Sequence, residues 1–119
     1  MDPASQDDAR ILDRLFSVLE TRRQERPAGS YVVSLLDGGI ASIGAKVEEE
    51  AAEVIAAARD ESDAAVAHEA ADLLFHLWVL MLSRGVEPSR VYAELARRFG
   101  VGGLAEKAAR GGQAGGGGR

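Results

Sequence analysis

The sequence predicts an all-α protein, a helical bundle of four main helices plus a short one, completed by oligomerisation. Apolar residues recur at spacings of three and four along most of the chain. Aromatic residues make up only 5% while alanine is abundant, which favours closely packed helices over an aromatic-rich β-sandwich. One helix is apolar on nearly every face, and such a helix must be covered on every face. A set of about 110 foldable residues can hardly do that alone, so a homodimer or higher homo-oligomer is expected.

Each element has its own signal. Ile11, Leu12, Leu15, Phe16 and Leu19 give a helix from about Gln6 to Gln24. Arg26-Pro27-Ala28-Gly29 breaks the pattern, since proline and glycine together mark a turn. Ser30 is placed to cap a short helix, Tyr31 to Leu36, which Gly38-Gly39 would end. Ile40, Ile43, Val47, Ala51, Val54, Ile55 and Ala58 then trace a long amphipathic helix. Ser62 caps the third main helix, about Ala64 to Arg84, and Gly85 stops it. Its second half, Leu73 to Leu82, is apolar apart from His76. Glu87-Pro88 opens a fourth helix, which Gly100 closes.

Residues 1–110 are thus expected to form one domain. Residues 111–119 (GGQAGGGGR) hold 6 of the 14 glycines and read as a flexible tail. The absence of cysteine excludes disulfide scaffolds, cysteine nucleophiles and thiolate metal sites, and fits a cytoplasmic protein. The acidic, polar N-terminus is no signal peptide. The longest uninterrupted apolar run, Leu77 to Leu82, is far short of a membrane span. A net charge of −5 argues against a nucleic-acid partner held by a broad basic surface.

The acid is concentrated. From Lys46 to Asp72 lie nine of the nineteen acidic residues against two basic ones, Lys46 and Arg59. Lys46, Glu49, Glu50 and Glu53 share one helix face, with Glu50 nearest the apolar stripe and so turned partly inward. Glu69, Asp72 and His76 align on the next helix, and the short connection at 59–63 lets the two sets face each other across a hairpin. Facing carboxylates repel and raise one another's pKa values unless a divalent cation neutralises them. All-oxygen ligation suits Mg²⁺, with Mn²⁺ able to substitute, rather than zinc.

A charge run on a helix is ordinarily only a solvated face, and that suffices for Glu48, Glu61 and Asp63. The two aligned clusters differ, because stacked like charges cost helix stability and Asp72 abuts the apolar run. His76 reads first as a hydrogen-bonded core histidine, and Trp78, Met81 and Tyr92 as packing. A helical assembly module whose acids only keep it soluble is the competing reading from another class. A di-iron carboxylate bundle fits less well, since it wants Glu-x-x-His and the chain has Glu-x-x-Asp.

The Glu49-Glu50-x-x-Glu53 … Glu69-x-x-Asp72 pattern resembles the all-α nucleoside triphosphate pyrophosphohydrolases of the MazG-like superfamily. More narrowly, Arg26-Pro-Ala-Gly-Ser-Tyr31, Leu35-Leu36, Gly39, Lys46-Val-Glu-Glu-Glu-Ala-Ala-Glu-Val54 and Glu69-Ala-Ala-Asp-Leu-Leu-Phe-His-Leu77 are similar to the phosphoribosyl-ATP pyrophosphohydrolase family. The resemblance covers about residues 9–98. Glu48 departs from it, standing where the family usually has a small residue, but off the acidic face. The resemblance implies Mg²⁺-dependent hydrolysis of 1-(5-phosphoribosyl)-ATP to 1-(5-phosphoribosyl)-AMP and pyrophosphate, the second step of histidine biosynthesis. By match to the motif, Glu50, Glu53, Glu69 and Asp72 would be the metal ligands. Glu49 would hold a second ion or orient the attacking water, so that Glu49, Glu50 and Glu53 make up the catalytic set. Lys46 would contact phosphate, or simply pair with Glu50. A house-cleaning nucleotide pyrophosphohydrolase of the same superfamily is the nearest alternative.

Overall fold

A computed structural model describes residues 7–100. Among these the protein is all-α: α1 (Ile11–Glu25), α2 (Tyr31–Asp60), α3 (Asp63–Arg84) and α4 (Pro88–Phe99). The glycine-rich segment 111–119 lies outside the described residues.

α1 starts at Ile11 rather than near Gln6. The reason is local: the Asp8 carboxylate accepts from the backbone N–H of Arg10 (3.0 Å) and pairs with its guanidinium (2.8 Å), fixing a turn ahead of the helix. Phe16 and Leu19, three apart, are its buried residues. At its end Arg26 takes a left-handed conformation (φ 49°, ψ 56°), and its N–H closes on the Arg22 carbonyl at 2.8 Å. The Arg26 guanidinium then reaches across the turn to Asp37 at 2.9 Å.

α2 joins what the sequence suggests are two helices. Ser30 caps it, its Oγ accepting from the Val33 N–H at 3.2 Å. Gly39 (φ 76°, ψ −172°) breaks the regular backbone at one point only, and the helix resumes at once. The short predicted helix is therefore the N-terminal limb of a kinked α2. Only glycine adopts that backbone without strain. Val32 and Leu35 are buried on the first limb, and Ile43, Glu50 and Ala57, seven apart, on the second.

Glu61 and Ser62 are extended and turn the chain into α3, where Ser62 Oγ accepts from the Ala65 N–H at 3.1 Å. α3 ends at Gly85 in the left-handed region (φ 72°, ψ 26°), as the sequence suggests. α2 and α3 form the main packed pair, and α1 lies against both. Leu19, Ile43, Val79 and Leu82 are fully buried between them. Two polar contacts hold α1 to α3: the Trp78 indole N–H donates to the Leu12 carbonyl (2.9 Å) and Arg23 donates to that of Leu82 (3.2 Å).

By length and composition alone α3 could cross a membrane, which the short run Leu77–Leu82 does not suggest. The difference comes from the alanines that extend the apolar stretch toward its N-terminus. Only 22% of the most apolar eighteen-residue window is buried in one copy of the chain.

α4 belongs to a separate compact unit that begins at Ser89. Proline at its start needs no N–H partner, and Glu94 pairs with Arg97 and Arg98 on its polar side. Those two guanidinium groups hold the Glu94 carboxyl down at about 2. Its apolar residues Leu95 and Phe99 are about half exposed.

Candidate metal centre

The second limb of α2 and the first half of α3 carry the acids. Periodicity puts Glu50 and Glu53 one turn apart on α2, and Glu69 and Asp72 one turn apart on α3. The hairpin runs them in opposite directions, so that Glu53 comes within hydrogen-bonding reach of Glu69 while Glu50 feels the charge of Asp72. One carboxylate oxygen from each of Glu50, Glu69 and Asp72 lies within 4.8 Å of the others. Glu53 bridges the group, interacting with both Glu50 and Glu69. Three of the four acids proposed as ligands from the sequence thus converge, and the fourth, Glu53, lies beside Glu50 and Glu69 without joining the close group.

Burial makes this arrangement costly without a cation. Glu50 is 6% exposed, as the inward face of α2 requires, whereas Glu69 and Asp72 are intermediate. Glu50 Oε1 and Glu69 Oε1 are buried with no hydrogen-bond donor. A buried acceptor without a partner costs about 1–3 kcal/mol, and more when charged. Desolvation, followed by the neighbouring Glu53 carboxyl, raises the pKa values of Glu50 and Glu69 above the ordinary range. Oxygens bound to one octahedral Mg²⁺ at about 2.1 Å stand roughly 3–4 Å apart. The cluster is near that spacing, and its donors are all oxygen. The residues fit a hard divalent cation.

Glu49 and Lys46 sit at the rim. Lys46 Nζ is 3.2 Å from Glu49 Oε1 and 3.8 Å from Glu50 Oε2, so it joins an exposed acid to the buried one. The hydrogen bond to Glu49 is the main reason its pKa is raised. Glu49 does not enter the close group. Glu48 is exposed and outside it.

Two further groups border the acids: His68, which sequence reasoning misses, and His76, already aligned with them, which gains Tyr31 as its partner. His68 Nε2 is 3.5 Å from Asp72 Oδ2, a pair recoverable from their four-residue spacing on α3. Tyr31 lies 2.8 Å from His76 Nε2, and His76 Nδ1 lies 2.8 Å from the Asp72 carbonyl. The carbonyl can only accept, so in the neutral ring Nδ1 carries the hydrogen and Nε2 accepts from the Tyr31 hydroxyl. His76 is 6% exposed and satisfied at both nitrogens, the hydrogen-bonded core histidine that its apolar setting suggests.

Comparison with known proteins gives this arrangement a family. The sequence profile described as Phosphoribosyl-ATP pyrophosphohydrolase matches residues 12–99, which include every residue of the cluster. The chain is 52% identical over 102 residues to a phosphoribosyl-ATP pyrophosphatase of Rhodopirellula baltica, covering 83% of this chain and 85% of that protein. It is 45% identical to the enzyme of the same name from Trichlorobacter lovleyi, covering 84% of this chain and 93% of that one. A histidine biosynthesis bifunctional protein, HisIE, of Wolinella succinogenes is 43% identical over 84% of this chain but only 44% of its own length. With a profile match across most of its length and relatives this similar, the chain belongs to the phosphoribosyl-ATP pyrophosphohydrolase family.

Proposed function

We propose that this protein hydrolyses 1-(5-phosphoribosyl)-ATP to 1-(5-phosphoribosyl)-AMP and pyrophosphate, the second step of histidine biosynthesis, in a Mg²⁺-dependent reaction. The observation that carries the reading is the convergence of Glu50, Glu69 and Asp72, with Glu53 beside them, in a chain of this family, with two buried oxygens lacking any donor. One water is consumed as the bond between the α and β phosphates breaks.

Glu50, Glu53, Glu69 and Asp72 would hold the cation. A bound Mg²⁺ supplies charge screening for the phosphate oxygens, polarisation of phosphorus and a more acidic water. Glu50, buried and poor in donors, gives the site its strongest demand for positive charge. Lys46 offers an ammonium at the rim to a phosphate oxygen, and its pairing with Glu49 sets its position. Glu49, half exposed beside it, orients the attacking water or takes its proton.

Support for assembly comes from α3, whose apolar stretch is mostly uncovered in one copy. We read it as the core helix of a cytoplasmic homodimer or higher oligomer, with no membrane and no nucleic acid as partner. Sedimentation at micromolar concentration should show at least a dimer.

The decisive experiment is pyrophosphate release from phosphoribosyl-ATP, with and without Mg²⁺, beside a panel of ordinary nucleoside triphosphates. Metal-dependent turnover selective for phosphoribosyl-ATP is expected. Equal or better turnover of the panel would make the protein a house-cleaning enzyme instead, and no turnover of either would sink the enzymatic reading.

A further inference from the structure

Tyr31 is oriented the opposite way from an ordinary surface tyrosine. An amphipathic phenol usually buries its ring and leaves its hydroxyl in water. Here the hydroxyl is turned inward to the buried His76, 2.8 Å away, while the residue as a whole is 49% exposed. One side of the ring lies against Phe75 in a stacked arrangement (centroids 6.2 Å, planes 17° apart), and the His76 ring meets it edge-on (5.7 Å, 83°). With the hydroxyl committed inward to His76, the exposed half of the residue includes part of a ring face. That face is fixed in place by a hydrogen bond that uses a core imidazole. Surface position alone demands no such anchoring, since a free tyrosine would keep its rotamer entropy.

The location gives the anchored ring a use. His76 holds the carbonyl of Asp72 through Nδ1 at 2.8 Å. Glu69, Asp72 and His76 follow one another at three and four along one face of α3, so Tyr31, bonded to His76, stands next to the acids. We propose that the exposed ring face of Tyr31 stacks on the nucleobase of the nucleotide whose phosphates face the acids, making Tyr31 the base-binding residue of the site. The inference rests on the proposed activity for its ligand class, a purine nucleotide, whose base is the one flat, weakly polar group that such a surface recognises. Stacking of this kind depends on the ring far more than on the hydroxyl.

The test is calorimetric binding of ATP and of inorganic tripolyphosphate, both with Mg²⁺, to the full chain and to Tyr31→Ala and Tyr31→Phe. The two ligands share the triphosphate and differ in the nucleoside. Tyr31→Ala should weaken ATP by at least about tenfold, the factor produced by losing ~1.4 kcal/mol of stacking. Tripolyphosphate should shift by less than threefold. Tyr31→Phe, which keeps the ring but loses its anchor, should fall between the parent and Tyr31→Ala for ATP. Equal weakening of both ligands, unchanged ATP affinity, or a variant that dissociates in sedimentation in step with its loss of ATP would overturn the proposal. Because binding needs no turnover, these outcomes stay readable if phosphoribosyl-ATP proves not to be hydrolysed, so the two failures can be told apart.

Discussion

Replacing Glu50 with glutamine should make the protein more stable without metal and less stable with it. Glu50 is 6% exposed, and its Oε1 has no donor while Glu53 and Asp72 add negative charge beside it. The amide keeps the volume, removes one charge and supplies two N–H donors to acids that lack them. Relieving one such buried acceptor is worth about 1–3 kcal/mol, and the lower end is a fair estimate given the strain of repositioning the amide. A gain of about 1 kcal/mol raises Tm by roughly 4–8 °C in a domain of this size. With Mg²⁺ at a hundred times its Kd, the parent gains about 2.7 kcal/mol from binding. The variant, short of one anionic ligand, loses most of that. The two should therefore cross, with the parent ahead in Mg²⁺ by roughly 1.7 kcal/mol, the difference of the two figures. Thermal melts followed by far-ultraviolet circular dichroism, in EDTA and then in excess Mg²⁺, read this directly. If Glu50→Gln melts below the parent in EDTA, or Mg²⁺ raises both equally, the buried acid is not a ligand site and the reasoning fails.

Asp72→Asn should cut turnover at least a hundredfold, about 3 kcal/mol of transition-state stabilisation. Glu48→Gln, which removes the same charge from an exposed position, should change it by less than about twofold, so similar losses in both would mean diffuse electrostatics. Metal-free stability should fall as pH rises. The raised Glu50 and Glu69 groups hold protons more tightly in the folded chain, so their contribution is whole below the unfolded value of 4.5 and is lost as pH climbs through the folded values. A stability profile in EDTA that rises over that window would contradict the burial argument. Gly39→Ala should cost about 1–3 kcal/mol through backbone strain alone, since no atom lies within 4 Å of the added carbon. Gly44→Ala, in regular helix with equally open surroundings, should gain about 0.4–1 kcal/mol, and denaturant titration of the pair checks both.

Helix identity and the acid motif were legible because both depend on spacing within one segment. Ser30, Ser62 and Gly85 act as caps where their chemistry says they should. Gly38-Gly39 misleads, since a glycine pair reads as a stop, yet only Gly39 takes a positive φ and the helix continues. Glu49 shares its motif with Glu50, but adjacent residues diverge by about 100°, and packing settles which of them goes inside. The contact between Tyr31 and His76 spans 45 positions and two limbs of the hairpin. No local periodicity encodes it. The same holds for the pairing of Glu53 with Glu69, which needs the register of α2 against α3.

The chain's single tryptophan gives it a built-in optical probe. Trp78 is 3% exposed, and its indole N–H is bonded to the Leu12 carbonyl of α1. Release of α1 would wet the indole and shift its emission to the red. Trp78 follows Asp72 by six positions, which places it roughly 120° around α3 from that acid. The fluorescence therefore senses the flank of α3 that docks α1, away from the flank that meets the acids of α2. Undocking of α1 can accordingly be followed through Trp78 emission with no label attached, as a signal distinct from changes at the acid cluster.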